Sequence, residues 1–112
     1  MRYNDPKNFT KKDPYNLDEN KVINYTFIEE DKSINLYYNK DRDYSFGVDQ
    51  NAQYQEKTIN GITWRVYHDN DFGVEYETYY YVYNNNLYRI ELNGVDKYQS
   101  DFDEFMNTIS FK

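Results

Sequence analysis

The segment VEYETYYYVY, residues 74–83, decides the fold because it is the longest stretch that has the pattern of a β-strand. Consecutive side chains of a strand point to opposite faces. One face carries Glu75, Glu77, Tyr79, Tyr81 and Tyr83, and the other carries Tyr76, Thr78, Tyr80 and Val82. The second set is uncharged and is predicted to face the core. The two carboxylates of the first set would be costly to bury unpaired, so the first half of that face is predicted to meet water and the three tyrosines beyond it to be at least partly open.

Two turn signals place this strand among antiparallel neighbours. The three asparagines at 84–86 tolerate left-handed backbone, and residues 87–92 then return as a strand with Tyr88, Ile90 and Leu92 inward. Upstream, Asn-Gly at 60–61 lies between β-forming residues and favours a two-residue hairpin. The remaining predictions are strands over 21–28, 33–39 and 44–48, and loops over 49–55 and 68–73.

One helix is predicted near the C-terminus. Ser100 is a suitable N-cap, and Asp103 three residues later completes a capping-box pattern. The apolar residues that follow are spaced at i, i+3, i+4 and i+7, which is typical of a helix with one buried stripe. They are Phe102, Phe105, Met106 and Ile109.

The first 20 residues form a polar arm with two Asp-Pro turns, at Asp5-Pro6 and Asp13-Pro14. Each turn is followed by one apolar residue, Phe9 or Leu17. These residues either fasten the arm to the domain or make it a docking arm for a partner. The predicted fold class is α+β. An antiparallel sheet of about five to seven strands in hairpins packs against the C-terminal helix, with residues 21–112 as one domain and 1–20 as an irregular arm.

The C-terminal half resembles small α+β domains of the MOG1/PsbP-like family. The resemblance covers residues 56–112 and is carried by NGITW at 60–64, the Tyr-rich strand, LYRI at 87–90 and the closing Ile109-Ser110-Phe111. It implies a mostly non-enzymatic domain, of a kind often attached to secreted lipoproteins in low-G/C bacteria. It transfers no catalytic residues to this chain.

The distribution of charge along the chain indicates which class of partner it favours. Residues 1–40 carry seven acids and seven bases, whereas residues 41–112 carry 13 acids and six bases, so the net charge of −7 lies in the second part. A negative field repels phosphate backbones, so we expect no direct binding of nucleic acid. A protein with a basic surface is the favoured partner, although net charge also serves solubility.

Other classes of protein are disfavoured by simple absences. There is no Cys for a disulfide, a thiolate or a zinc finger, and no run of 18 apolar residues that would predict a membrane span. The N-terminus from Met1 lacks the apolar region of a signal peptide. The chain is therefore expected to be cytoplasmic in a host cell, or to be an extracellular lipoprotein domain if Met1 is not the natural start.

No catalytic or metal site is predicted. His68 is the only histidine and has no nucleophile or orienting partner in a recognisable pattern. Asp69-x-Asp71-x-Gly73-x-Glu75 alternates oxygen ligands as calcium loops do, but its Gly spacing differs from that of the EF-hand. Glu75 and Glu77 could form a hydrolase pair, but strand carboxylates pointing to solvent are commoner. We therefore expect no enzyme activity and no cofactor.

The predicted function is protein binding by a small acidic inhibitor. A phage-type inhibitor of a host nuclease or defence protein and a toxin immunity protein share this size and charge. An accessory domain of a secreted lipoprotein is the alternative. The predicted binding surface is the face bearing Glu75, Glu77, Tyr79, Tyr81 and Tyr83, because tyrosines are enriched in interfaces and the acids could steer a basic partner. That surface requires the tyrosines to be open, and the helix or an N-terminal strand could instead cover them.

Overall fold

The computed structural model describes residues 1–12, 23–29, 31–47 and 49–111. It has a seven-stranded sheet in which every paired neighbour is antiparallel, and one helix follows the last strand. The predicted α+β class is confirmed. The strands are β1 (Thr10–Lys12), β2 (Ile23–Glu29), β3 (Lys32–Asn39), β4 (Gln55–Ile59), β5 (Ile62–Asp71), β6 (Val74–Tyr83) and β7 (Asn86–Asn93), and the helix is α1 (Val95–Met106).

The sheet order β1-β2-β3-β7-β6-β5-β4 makes β7 the strand that joins two sets of hairpins. Ile90 of β7 pairs with Leu36 of β3 on one side and with Tyr79 of β6 on the other. Directly opposed residues lie on the same face of a sheet, so this row of three side chains is common to both halves. The row is buried, and α1 packs on this face.

All four apolar residues of the predicted helical stripe lie in the core, but Ile109 follows the end of α1 at Met106 and is not helical. The fully buried large side chains from the sheet and the C-terminal segment are Phe27, Ile34, Trp64, Tyr79, Leu87, Ile90, Leu92, Phe102, Phe105, Met106 and Ile109. Trp64 lies at the centre of the aromatic contacts, with its ring centroid 6.0 Å from that of Tyr79 in an edge-to-face arrangement. Aromatic pairs of this geometry contribute beyond the area they bury.

The helix begins earlier than predicted. It starts at Val95 after Gly94, whose backbone has φ 94 and whose carbonyl oxygen accepts hydrogen bonds from Lys97 N and Tyr98 N. Ser100 is therefore inside the helix and is not its N-cap. Positive φ suits glycine, and a Cβ at Gly94 would lie 3.2 Å from the carbonyl oxygen of Asp31. The helix is kinked at Tyr98, where φ is −123. The turn before this kink therefore lies outside the regular helix that the apolar spacing from Phe102 onward predicts.

Two predictions of local structure are wrong. Residues 44–47 form turns instead of a short strand, because the Asp43 carboxylate accepts hydrogen bonds from both Ser45 N and Ser45 Oγ and so holds a local turn. Val48 lies outside the described residues. The predicted loop 68–73 is instead the end of one strand and a two-residue turn at Phe72-Gly73, since pairing with β6 extends β5 as far as Asp71.

The N-terminal arm is partly regular. Thr10–Lys12 pairs with β2 as the edge strand β1, and Arg2 bridges Ser110. Phe9 packs on Phe102 with ring centroids 6.1 Å apart, which agrees with the fastening role and not with an open docking residue. The second Asp-Pro turn, at Asp13-Pro14, and Leu17 lie outside the described residues.

Candidate functional site

The predicted binding face is, in large part, the face on which the helix packs. Tyr79 is 1% exposed and belongs to the core cluster, so the expectation that all three tyrosines are at least partly open is wrong for Tyr79. Tyr81 and Tyr83 are half-buried, and both lie against Phe111, with centroids 4.9 and 5.1 Å from it. Whether Glu75, Glu77, Tyr81 and Tyr83 contact a partner stays a prediction.

Glu77 is tolerated at the edge of the core because it has partners from another strand. Lys57 of β4 donates to Glu77 Oε2 at 3.2 Å and to the Tyr79 hydroxyl at 3.4 Å, and that hydroxyl donates to Glu77 Oε1 at 3.3 Å. Burial and the adjacent carboxylate raise the pKa of Tyr79 to about 12. Partial burial opposes the charge of Lys57, but the Tyr79 and Glu77 oxygens outweigh that effect and raise the pKa of Lys57.

Glu75 lies farther toward the tip of the β5–β6 hairpin and is partly exposed. His68 Nε2 of β5 is 2.8 Å from Glu75 Oε2, so the only histidine pairs with one of the two predicted carboxylates. Both side chains are accessible to solvent. The expected absence of hydrolase activity stays a prediction.

The opposite face of β6 is the outer face of the sheet, contrary to its predicted position in the core. Tyr76, Thr78 and Val82 are half-buried there, and Tyr80 is buried at 7% exposure outside the cluster that contacts the helix. The cover on this face comes in part from the β3–β4 connection, whose Tyr44 hydroxyl accepts a hydrogen bond from Val82 N at 3.1 Å.

The β5–β6 hairpin ends in an unusual turn. Phe72 has φ 51 and Gly73 has φ 79, and the Phe72 side chain is 99% exposed. Positive φ is strained for a bulky residue, and Asn is the preferred residue at this position of a two-residue hairpin. Phe72 is therefore unfavourable for the hairpin on two grounds, its backbone conformation and its exposure.

The hairpin end is also acidic. Residues 66–83 contain four acids and no Lys or Arg. Two of these acids, Asp69 and Glu75, flank the turn, and neither forms an ion pair with Lys or Arg within the described part of the chain. We define the hairpin end as Asp69, Phe72, Val74 and Glu75, which combines negative charge with exposed apolar surface.

Phe72 is not among the residues predicted from the sequence, because a loop over 68–73 gives an exposed aromatic no defined turn position. The signal was available in the dipeptide itself. Phe-Gly occupies the two positions where Asn-Gly is strongly preferred, and Asn-Gly does occur in the other tight hairpin of this chain, at 60–61.

Two other features are absent from the described residues: a metal-binding group of side chains and a membrane-spanning helix. Within ranges 1–12, 23–29, 31–47 and 49–111, no three His, Cys, Asp or Glu side chains are grouped so that they could hold a metal ion. The helix α1 is neither long enough nor apolar enough to cross a membrane.

No protein-family model, curated protein or solved structure matches this chain. The resemblance of residues 56–112 to MOG1/PsbP-like domains therefore stays a prediction.

Proposed function

We propose that this chain is a non-enzymatic, acidic protein-binding domain that inhibits or neutralises a protein with a basic surface. A phage-type inhibitor of a host nuclease or defence protein and a toxin immunity protein are the classes that fit this proposal. The contact is made by the hairpin end, Asp69, Phe72, Val74 and Glu75. This differs from the face first predicted, because Tyr79 of that face is buried.

The observation that carries the proposal is the fully exposed Phe72 in a left-handed backbone conformation. A residue that is unfavourable for its own turn is expected to serve something other than folding, because strained backbone is concentrated at functional positions. Aromatic residues are enriched among the anchors of protein interfaces, where one buried ring can contribute much of the affinity.

The charge around Phe72 supports a basic protein as the partner. Carboxylates at the rim of an interface speed association with a positively charged surface and disfavour negatively charged ones. A nucleic acid is disfavoured for the same reason. A second copy of this chain is disfavoured too, since two hairpin ends would bring like charges together at a net charge of −7 each.

The experiment is affinity capture from an extract of the host with two matched charge-reversal variants. The immobilised wild-type domain should retain a basic protein at about 50 mM salt and release it at about 500 mM, because rim electrostatics are screened. Asp69→Lys with Glu75→Lys should weaken that binding at least about ten-fold and flatten its salt dependence.

The matched control is Asp103→Lys with Glu104→Lys, which changes the net charge equally but on exposed positions of α1. This control should retain the captured protein, with affinity near that of the wild type. Equal loss of binding in both variants would mean that only net charge matters. Equal retention in both, with the fold intact by circular dichroism, would remove the hairpin end from the proposal.

A further inference from the structure

A cleft lies on the outer face of the sheet, beside the hairpin end. It has a volume of about 460 Å³ and lies between the β3–β4 connection and strands β5 and β6. Tyr67, Asp69, Tyr76 and Tyr80 line it from the sheet, and Asp49 lines it from the connection. Its volume is within the range of sites that bind small ligands or single side chains.

The cleft combines carboxylates with aromatic rings; His68 also lines it, and its lining contains no Lys or Arg. Asp69 accepts hydrogen bonds from the Tyr76 hydroxyl at 3.2 Å and from Asn70 N at 2.7 Å, so its carboxylate is held in place on the sheet. The Asp49 carboxylate is fixed by Asn51 N at 2.9 Å. Two oriented carboxylates and several ring faces are the groups that recognise an organic cation.

Guanidinium groups on the outer face already lie over tyrosine rings within the chain itself. The Arg65 guanidinium lies 4.0 Å from the ring centroid of Tyr44 and 4.7 Å from that of Tyr54. The Arg89 guanidinium lies 3.8 Å from the centroid of Tyr37. Cross-strand pairing places Arg65 and Arg89 on either side of Tyr80, one of the residues that line the cleft.

We propose that the cleft binds the guanidinium group of an arginine side chain, which a partner protein presents. The ring faces accept a planar cation by stacking, and the carboxylates accept its N–H groups, a combination that a lysine ammonium matches less well. The source of the arginine rests on the proposed function, whereas binding of the guanidinium itself does not. Arginine in the cleft and Phe72 in the partner would then be two contacts at one end of the molecule.

The test is an NMR titration of the ¹⁵N-labelled wild-type domain with N-acetyl-arginine amide. Saturable shifts of the amide signals of Asp69, Tyr76 and Tyr80 are expected, with a dissociation constant on the order of 1–10 mM for so small a ligand. N-acetyl-citrulline amide has nearly the same shape without the charge and should cause no saturable shift. N-acetyl-lysine amide should bind at least about three-fold more weakly.

Two variants locate the site. Asp49→Asn with Asp69→Asn keeps the shape of the cleft and should weaken binding of the arginine probe at least about five-fold. Asp103→Asn, on the exposed helix surface, should leave it unchanged. Unchanged binding in the cleft variant, equal binding of the citrulline or lysine probe, or no saturable shift at all would overturn the proposal.

The result is separable from that of the capture experiment. If the arginine probe binds but no basic protein is captured, the proposed function fails and the cleft assignment stands. If a protein is captured through the hairpin end but the arginine probe does not bind, only the cleft assignment fails.

Discussion

Replacing Phe105 with alanine is expected to lower the free energy of unfolding by about 3–5 kcal/mol. Phe105 is 2% exposed beneath α1, and its ring makes an edge contact with Tyr3 at 5.8 Å between centroids. Truncation removes these contacts and leaves a cavity that the helix and sheet cannot fully close. A domain of this size should lose roughly 12–20 °C in its melting temperature, which thermal denaturation followed by circular dichroism measures directly.

The matched control is Phe72→Ala, which removes the same atoms from a ring that is 99% exposed. Because no buried surface is lost there, the free energy of unfolding should change by no more than about 0.5 kcal/mol. A shift of only a degree or two for Phe105→Ala would show that the helix is not packed as described.

Alkaline pH is expected to destabilise the fold through Tyr79. Burial and the neighbouring Glu77 carboxylate raise the pKa of Tyr79 to about 12, whereas an unfolded tyrosine has a pKa of about 10. The stabilisation is therefore complete below pH 10 and is lost as the pH rises from 10 to 12. The loss assigned to this one residue is about 2–3 kcal/mol, because deprotonation of the buried hydroxyl would place a second negative charge beside Glu77.

Urea denaturation of the wild type and of Tyr79→Phe at a series of pH values isolates this effect from the titration of other groups. The stability difference between the two proteins should be constant up to about pH 9.5 and then shift in favour of the variant by pH 12. The Glu77→Gln variant should lose this stabilisation over a narrower pH range, because it lacks one of the causes that raise the pKa of Tyr79. A stability difference that stays constant from pH 9 to 12 would contradict the burial of Tyr79 beside a carboxylate.

The fold was predictable to the extent that it depends on local periodicity. Alternation defined β6 and β7, Asn60-Gly61 defined the turn between β4 and β5, and the apolar spacing of Phe102, Phe105 and Met106 defined the buried stripe of α1. Each of these signals lies within a few residues of sequence. The position of β7 between β3 and β6 was not predictable in the same way, because strand order depends on pairings between distant segments.

The burial of Tyr79 on the predicted binding face was not predictable for a similar reason. The argument that carboxylates avoid the core assumed that Glu77 has no partner, but Lys57 reaches it from β4, twenty residues earlier in the chain. Both faces of β6 carry tyrosines, so hydrophobicity alone did not distinguish them. The pairing of Glu77 with Lys57 allows Tyr79 to lie in the core, and Tyr76 lies on the outer face.

We propose that Phe72 lies at the hairpin tip to serve binding, at the expense of stability. Phe72→Asn tests this claim because asparagine tolerates the positive φ of 51 at this position and forms the preferred Asn-Gly turn with Gly73. The variant should be more stable than the wild type by about 1 kcal/mol, which corresponds to roughly 4 °C in melting temperature.

The decisive measurement is the affinity of this stabilised variant for the basic protein captured by the wild-type domain, determined by surface plasmon resonance beside its melting temperature. We predict a higher melting temperature together with affinity weaker by at least about 30-fold, mainly through faster dissociation. A variant that is more stable and binds as tightly as the wild type would show that Phe72 does not anchor the partner.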